Sequence, residues 1–123
     1  KKIIYKNYSS ILKNHKYFEL NSNKRFENIN YWMNILYIKD FNHRLIQKLS
    51  LFLKKNKIET RRIWRPLNLQ NYLKTFQVYK VKNSIDFYNK SLCIPSDVTL
   101  NKKNIEKICK LIKTFYKKIK RKS

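Results

Sequence analysis

Ile58-Glu59-Thr60-Arg61-Arg62-Ile63-Trp64-Arg65-Pro66-Leu67-Asn68-Leu69-Gln70 is the stretch on which the reading of this chain turns. Two adjacent arginines, a tryptophan, a proline and two side-chain amides follow directly on an amphipathic segment. So many hydrogen-bonding groups would need partners if buried, so the stretch is not simply core. It is also too aromatic and apolar for a plain solvated loop. It reads as a strand that leaves the core and carries polar groups to a site. Arg61 and Arg62 are adjacent in that strand and point to opposite faces. Pro66 lacks an amide hydrogen and ends regular pairing. A fixed guanidinium suits a carboxylate or a phosphate, and the residues alone leave a ligand role and a structural ion pair equally open.

Working outward, residues 42–55 precede this strand as an amphipathic helix. Leu45, Ile46, Leu49, Phe52 and Leu53 form its apolar stripe. Asp40 or Asn42 is suited to cap it, and Asn56 to take the left-handed conformation that ends it. Residues 30–38 are apolar on both alternating faces and read as a central strand. Before them come a helix over 1–14, carrying Ile4, Tyr8, Ile11 and Leu12, a short strand at 17–20, and a loop at 21–28. After the central stretch, residues 67–81 read as irregular. Residues 83–91 read as a short helix with Ile85, Tyr88 and Leu92 on one side, followed by a strand at Cys93-Ile94. A final helix over 101–120, capped by Asn101, buries Ile105, Ile108, Cys109, Ile112, Phe115, Tyr116 and Ile119. These elements imply an α/β fold: one small sandwich of 1–123 with a short sheet covered by helices.

The charge balance is extreme. Thirty Lys and Arg face seven Asp and Glu, a formal charge of +23. That favours a polyanion partner such as nucleic acid or an anionic membrane. The excess, however, is 24 lysines against six arginines, with 15 Asn and no Gly. Lys, Asn, Ile and Tyr are the residues of A/T-rich codons, whereas base readout favours the planar fork of Arg. We read the lysines as drift on solvated faces. The alternative is a basic nucleic-acid-binding module that displays Tyr72, Phe76 and Tyr79; a partner-binding domain with no ligand is a third reading. The basic final helix, from Lys102 to Lys122, reads as a solvated face with cations near its C-terminus.

Several chemistries find no support. Without glycine there is no nucleotide-binding glycine loop. His15 and His43 lie on different elements without partners at ligand spacing and read as surface residues. The carboxylates are scattered, with Glu59 and Asp86 suited to pair with arginines, and none suggests an acid/base dyad. Cys93 and Cys109 are too few for a metal site. Both read as buried and reduced, which fits the cytoplasm. No stretch approaches the roughly 18 apolar residues of a membrane span. The start, Lys1-Lys2-Ile3-Ile4-Tyr5-Lys6, has no apolar signal core and no initiator Met, so the chain is expected to begin within a longer protein.

Ile58-Glu59-Thr60-Arg61, then Trp64, Pro66, Leu69 and Gln70, resembles a signature in the C-terminal domain of nucleotide-sugar aminotransferases of the DegT/DnrJ/StrS type. These are pyridoxal-phosphate enzymes of the aspartate aminotransferase fold. Three further landmarks fall in the same order: Asn30-Tyr31-Trp32-Met33, Leu92-Cys93-Ile94-Pro95-Ser96, and Leu100-Asn101-Lys102-Lys103-Asn104-Ile105. Arg62 departs from the usual Pro, Asn68 from a frequent His, and Lys57 from a frequent Gly.

The resemblance implies the small domain of such an enzyme, with a mostly antiparallel sheet and with residues 1–14 as the end of a linking helix. It implies transfer of an amino group, from glutamate, to a keto group on a nucleotide-linked sugar, by a dimer. The lysine that holds pyridoxal phosphate would lie in an N-terminal domain outside these residues. The chain by itself is then expected to bind no cofactor and to be inactive, whether it is a fragment, a split-gene product or a truncated frame. Arg61, Trp64, Asn68 and Gln70 are the expected substrate-contacting residues. Arg61 would take an anionic or polar end, Asn68 a sugar hydroxyl, and Trp64 would form a wall or join the core.

Overall fold

The computed structural model describes residues 1–21, 29–39 and 43–120. Four helices and four strands follow one another along them: α1 (Lys2–Leu12), β1 (Phe18–Leu20), β2 (Asn34–Ile38), α2 (His43–Lys55), β3 (Arg61–Arg62), α3 (Lys82–Lys90), β4 (Ser91–Ile94) and α4 (Lys102–Lys120). Two single 3₁₀ turns, Leu67–Leu69 and Asn71–Leu73, interrupt the stretch between β3 and α3.

The strands form one antiparallel sheet in the order β1-β2-β4-β3. Alternation decides its two faces. Phe18, Leu20, Leu36, Ile38, Leu92 and Ile94 turn inward and are buried. Against them lie Ile4, Tyr8 and Leu12 of α1, Leu45, Ile46, Leu49 and Leu53 of α2, and Ile105, Ile108, Cys109 and Ile112 of α4. The apolar stripes expected on α1, α2 and α4 thus reach the core, whereas α3 buries none of its residues there. Truncating a buried Leu or Ile here to Ala would cost about 2–5 kcal/mol. Tyr37, between Leu36 and Ile38, faces the reverse side, where it stacks on Phe87 of α3 at 6.0 Å.

Several boundaries differ from expectation. The strand expected over 30–38 begins only at Asn34. Asn30 Oδ1 accepts from the Trp32 amide at 3.0 Å and Tyr31 has φ 54°, a local turn that excludes ladder pairing. The strand expected over 58–64 is reduced to Arg61–Arg62, because Ile58 is taken up by the end of α2. There the Ile58 amide donates to Leu53 and the Lys57 amide to Lys54, both at 2.9 Å, a Schellman closure with Ile58 packed on the core. Lys57, not Asn56, takes the left-handed conformation, at φ 62°. Asn56 instead donates from its side chain to the Phe52 carbonyl at 2.8 Å. Leu92 belongs to β4 and not to the α3 stripe.

Other expectations sort residue by residue. Asn101 caps α4 by accepting from the Asn104 amide at 2.9 Å. The caps assigned to Asp40 and Asn42, the loop over 22–28 and the His43 side chain lie outside the described residues. His15 is half-buried and stacked 4.1 Å from Phe18, not a free surface residue. Asp86 pairs with Lys90 at 2.7 Å rather than with an arginine. Cys109 is buried and Cys93 only half-buried, since β4 presents Cys93 to the reverse face, opposite Arg61. Among the described residues no helix is long and apolar enough to cross a membrane.

Candidate functional site

The closure at Ile58 aims the chain outward, and β3 pairs only two residues with β4 before leaving the sheet. Arg61 sits opposite Cys93 and Arg62 opposite Leu92, so their side chains depart on opposite faces. Their surroundings differ accordingly. Arg61 pairs with Glu59 at 3.2 Å, the two side chains 80% and 79% exposed. Arg62 is half-buried; its Nη2 donates to the Tyr88 carbonyl at 2.8 Å and its guanidinium lies 4.5 Å from the Tyr88 ring. A cation at the last turn of α3 also complements the helix dipole.

A groove of about 440 Å³ opens where β2 begins and β4 ends. Arg61, Glu59 and Thr60 form one wall, Trp32 and Met33 another, and Cys93 to Asp97 and Lys1 the rest. Below its rim, Ser96 Oγ accepts from the Asn34 amide at 2.9 Å and from Asn34 Nδ2 at 2.8 Å, and donates to the Ile94 carbonyl at 3.2 Å. This ties the β4 exit to the β2 entry. Cys93 and Met33 bring their sulfurs within 3.9 Å. Asp97 accepts from the Thr99 amide and hydroxyl, which hold its carboxyl below the ordinary range.

The four expected contact residues do not share this groove. Arg61 lines it directly. Trp64 is 67% exposed, not core, and reaches the rim by pairing with Trp32 at 5.3 Å and 42°. Asn68 lines a separate cavity of about 290 Å³ with Leu67, Leu73, Phe76 and Val78. Gln70 turns back on its own segment and donates from Nε2 to the Arg65 carbonyl at 3.1 Å. Trp32 and Ser96 are the additions that sequence reasoning treated only as landmarks. Pairing of a tryptophan before one strand with another after a distant strand has no short-range signal.

The arrangement supplies cations, two indole faces and a hydrogen-bonded rim. Among the described residues no cluster of His, Cys, Asp and Glu suits a metal ion. Lys90 of α3 does not suit the carbonyl carbon of pyridoxal phosphate. A lysine that bonds its carbonyl carbon must shed a proton, yet Lys90, with its side chain only 19% exposed, is held charged by Asp86 and its pKa is raised. The cations of the groove lie on an open rim, Arg61 against Glu59 and Lys1 against the Ser96 carbonyl.

Comparison with known proteins shows the family and the fold. The DegT/DnrJ/EryC1/StrS aminotransferase family model matches residues 1–113. Helicobacter pylori PseC, an aminotransferase involved in the biosynthesis of pseudoaminic acid, shares the fold at TM-score 0.82 and 16% identity, over 95% of this chain and 32% of that one. The putative sugar aminotransferase Spr1654 from Streptococcus pneumoniae, in its PLP form, gives 0.82 and 17% over 96% and 31%. An E. coli GDP-4-keto-6-deoxy-D-mannose-3-dehydratase with bound hydrated PLP gives 0.75 and 17% over 90% and 29%. The chain spans about a third of the length of these structures. Nothing in the comparisons supports the nucleic-acid reading.

Proposed function

Because the chain belongs to the DegT/DnrJ/EryC1/StrS aminotransferase family, we propose that it is the C-terminal small domain of a pyridoxal-phosphate aminotransferase acting on a nucleotide-linked keto sugar. The amino group comes from glutamate. Residues 1–123 form one domain, with α1 as the end of the helix that links it to an N-terminal, lysine-bearing domain. The complete enzyme is a cytoplasmic homodimer. The observation that carries the reading is the family match over nearly the whole of a chain that spans a third of its structural relatives. The uncovered share of those relatives leaves room for a cofactor domain in the complete enzyme.

In this reading the small domain closes one side of the cleft and touches substrate. Arg61 exchanges its exposed carboxylate partner for an anionic oxygen pair, which its fork holds at two points. Trp64 walls the approach. Asn68 hydrogen-bonds a sugar hydroxyl. Gln70, its amide spent on Arg65, keeps a carbonyl oxygen as acceptor. The proton-transfer chemistry belongs to pyridoxal phosphate and its lysine in the other domain.

Joining the chain to a lysine-bearing N-terminal domain of the same family tests the proposal. The joined enzyme is expected to transfer the amino group of glutamate to a nucleotide-linked keto sugar. Replacing Arg61 by Lys is expected to lower kcat/KM at least about tenfold, or 1.4 kcal/mol, with the fold intact. The chain by itself is expected to give no borohydride-reducible lysine adduct after incubation with pyridoxal phosphate. A specific adduct on one of its lysines, or a joined enzyme that eliminates water instead of transferring nitrogen, would overturn the reading.

A further inference from the structure

We propose that Trp32 and Trp64 form an aromatic ledge that stacks the base of a nucleoside-diphosphate-linked substrate, with Arg61 engaging its phosphates. The proposal rests on the nucleotide-sugar reading above and names the part of the substrate that this groove takes.

The sequence contains two tryptophans, 32 residues apart, and the fold brings both to one place. Their rings lie 5.3 Å apart at 42°. They stay 55% and 67% exposed, although indole is among the costliest side chains to leave in water. The backbone that presents Trp32 is itself unusual. Tyr31 holds φ 54° without being glycine, and the Asn30 side chain secures the Trp32 amide. Conformations of that kind persist where surrounding structure demands them, and they concentrate at binding sites.

The groove below the ledge supplies the second half of a nucleotide's chemistry. Trp32 and Arg61 line the same 440 Å³ space, with Lys1 across it. Its two carboxylates are already engaged, Asp97 by Thr99 and Glu59 by Arg61. The Glu59 pair is solvent-exposed and therefore weak, so a phosphate can replace it at the guanidinium. Flat indole faces beside a guanidinium fork match a base and its phosphates. A base is planar and stacks across its whole face, whereas a pyranose offers only its axial hydrogens. The exposed faces of Trp32 and Trp64 beside Arg61 offer such a base its stacking surface.

Indole fluorescence reads this directly, since both tryptophans stand in the ledge. Excited selectively, the chain is titrated with UDP, dTDP and GDP, and with pyrophosphate and glucose 1-phosphate as controls, its fold checked by circular dichroism. Saturable quenching by at least one nucleoside diphosphate is expected, with no response to either control. Trp32→Leu is expected to weaken it at least about fivefold, the low end of one base–aromatic stack, and Trp32→Phe to retain most of it. Failure of all three nucleotides to quench a folded chain overturns the proposal, as does an equal response to glucose 1-phosphate or an unaffected Trp32→Leu variant.

Should the chain lose its fold in isolation, the joined enzyme decides. Trp32→Leu must then raise KM for the nucleotide-linked sugar at least about fivefold while kcat and the half-reaction with glutamate hold. Equal losses in all three overturn it. Nucleotide stacking without amino transfer would remove the aminotransferase reading and leave the ledge. Amino transfer indifferent to Trp32 would remove only the ledge.

Discussion

Arg62 donates to the Tyr88 carbonyl and covers the Tyr88 ring, while Arg61 faces solvent beside Glu59. The energetics divide in the same way. Arg62→Ala removes a charged hydrogen bond and a cation–π contact and is expected to cost about 2 kcal/mol. Arg61→Ala breaks only an exposed pair and is expected to cost less than about 1 kcal/mol. Urea midpoints of the two variants check this order. His15 gives a pH-dependent counterpart. Burial first, and Lys113 second, hold its pKa below the ordinary 6.5. Its Nδ1 accepts from the Tyr17 amide at 3.3 Å, which requires that nitrogen unprotonated. Between the lowered value and 6.5 the folded state binds fewer protons than the unfolded chain. Stability is therefore full above about pH 6.5 and falls as pH drops through the folded pKa. Asp86, whose pKa is lowered chiefly by its Lys90 hydrogen bond, loses its contribution only below 3.8, in a separate window. Comparing urea midpoints at pH 7.5 and 5.5 is expected to show a loss that His15→Gln abolishes.

At the scale of elements, the end of α2 governs where the site segment begins. Its Schellman closure fixes Ile58 on the core and turns Glu59 toward the groove. The closure demands a left-handed residue, and Lys57 meets that demand at a steric cost that glycine would not bear. Lys57→Gly is expected to stabilise the fold by about 0.5–1 kcal/mol, the relief of strain exceeding the added freedom of the unfolded chain. Asn56→Gly, at a position that is not left-handed and loses its bond to Phe52, is expected to destabilise instead. Thermal unfolding of the two variants separates them. The amphipathic helices were legible beforehand, because period 3.6 is a property of the residues themselves, and the strands only as short apolar runs. The ends of β2 and β3 were not, because the Asn30 turn and the α2 closure compete with pairing through bonds that no hydrophobic pattern records.

Across the whole molecule, exposed lysines stand on α1, α2, α3 and α4 and in the connections between them. Charge spread over every helix and its flanking connections gives a diffuse field in place of a basic stripe. Binding to random duplex DNA is accordingly expected to be weak at about 0.15 M salt. A salt titration with tight binding and a steep slope, the mark of many phosphates neutralised together, would instead reveal a functional basic surface.

The sequence by itself determined which segments are helices, which faces are buried, and, through the Glu59–Gln70 stretch and its ordered landmarks, the family. Those features reside in local periodicity and in residues read one after another. Tertiary structure alone decided which polar residues meet. It parted Asn68 from Arg61, turned Gln70 back on Arg65, gave Arg62 to Tyr88, and set Trp32 against Trp64. Contacts between distant segments depend on sheet order and on where each strand stops. Both arise from the packing of all the elements together, so neither is carried by any one stretch of the chain.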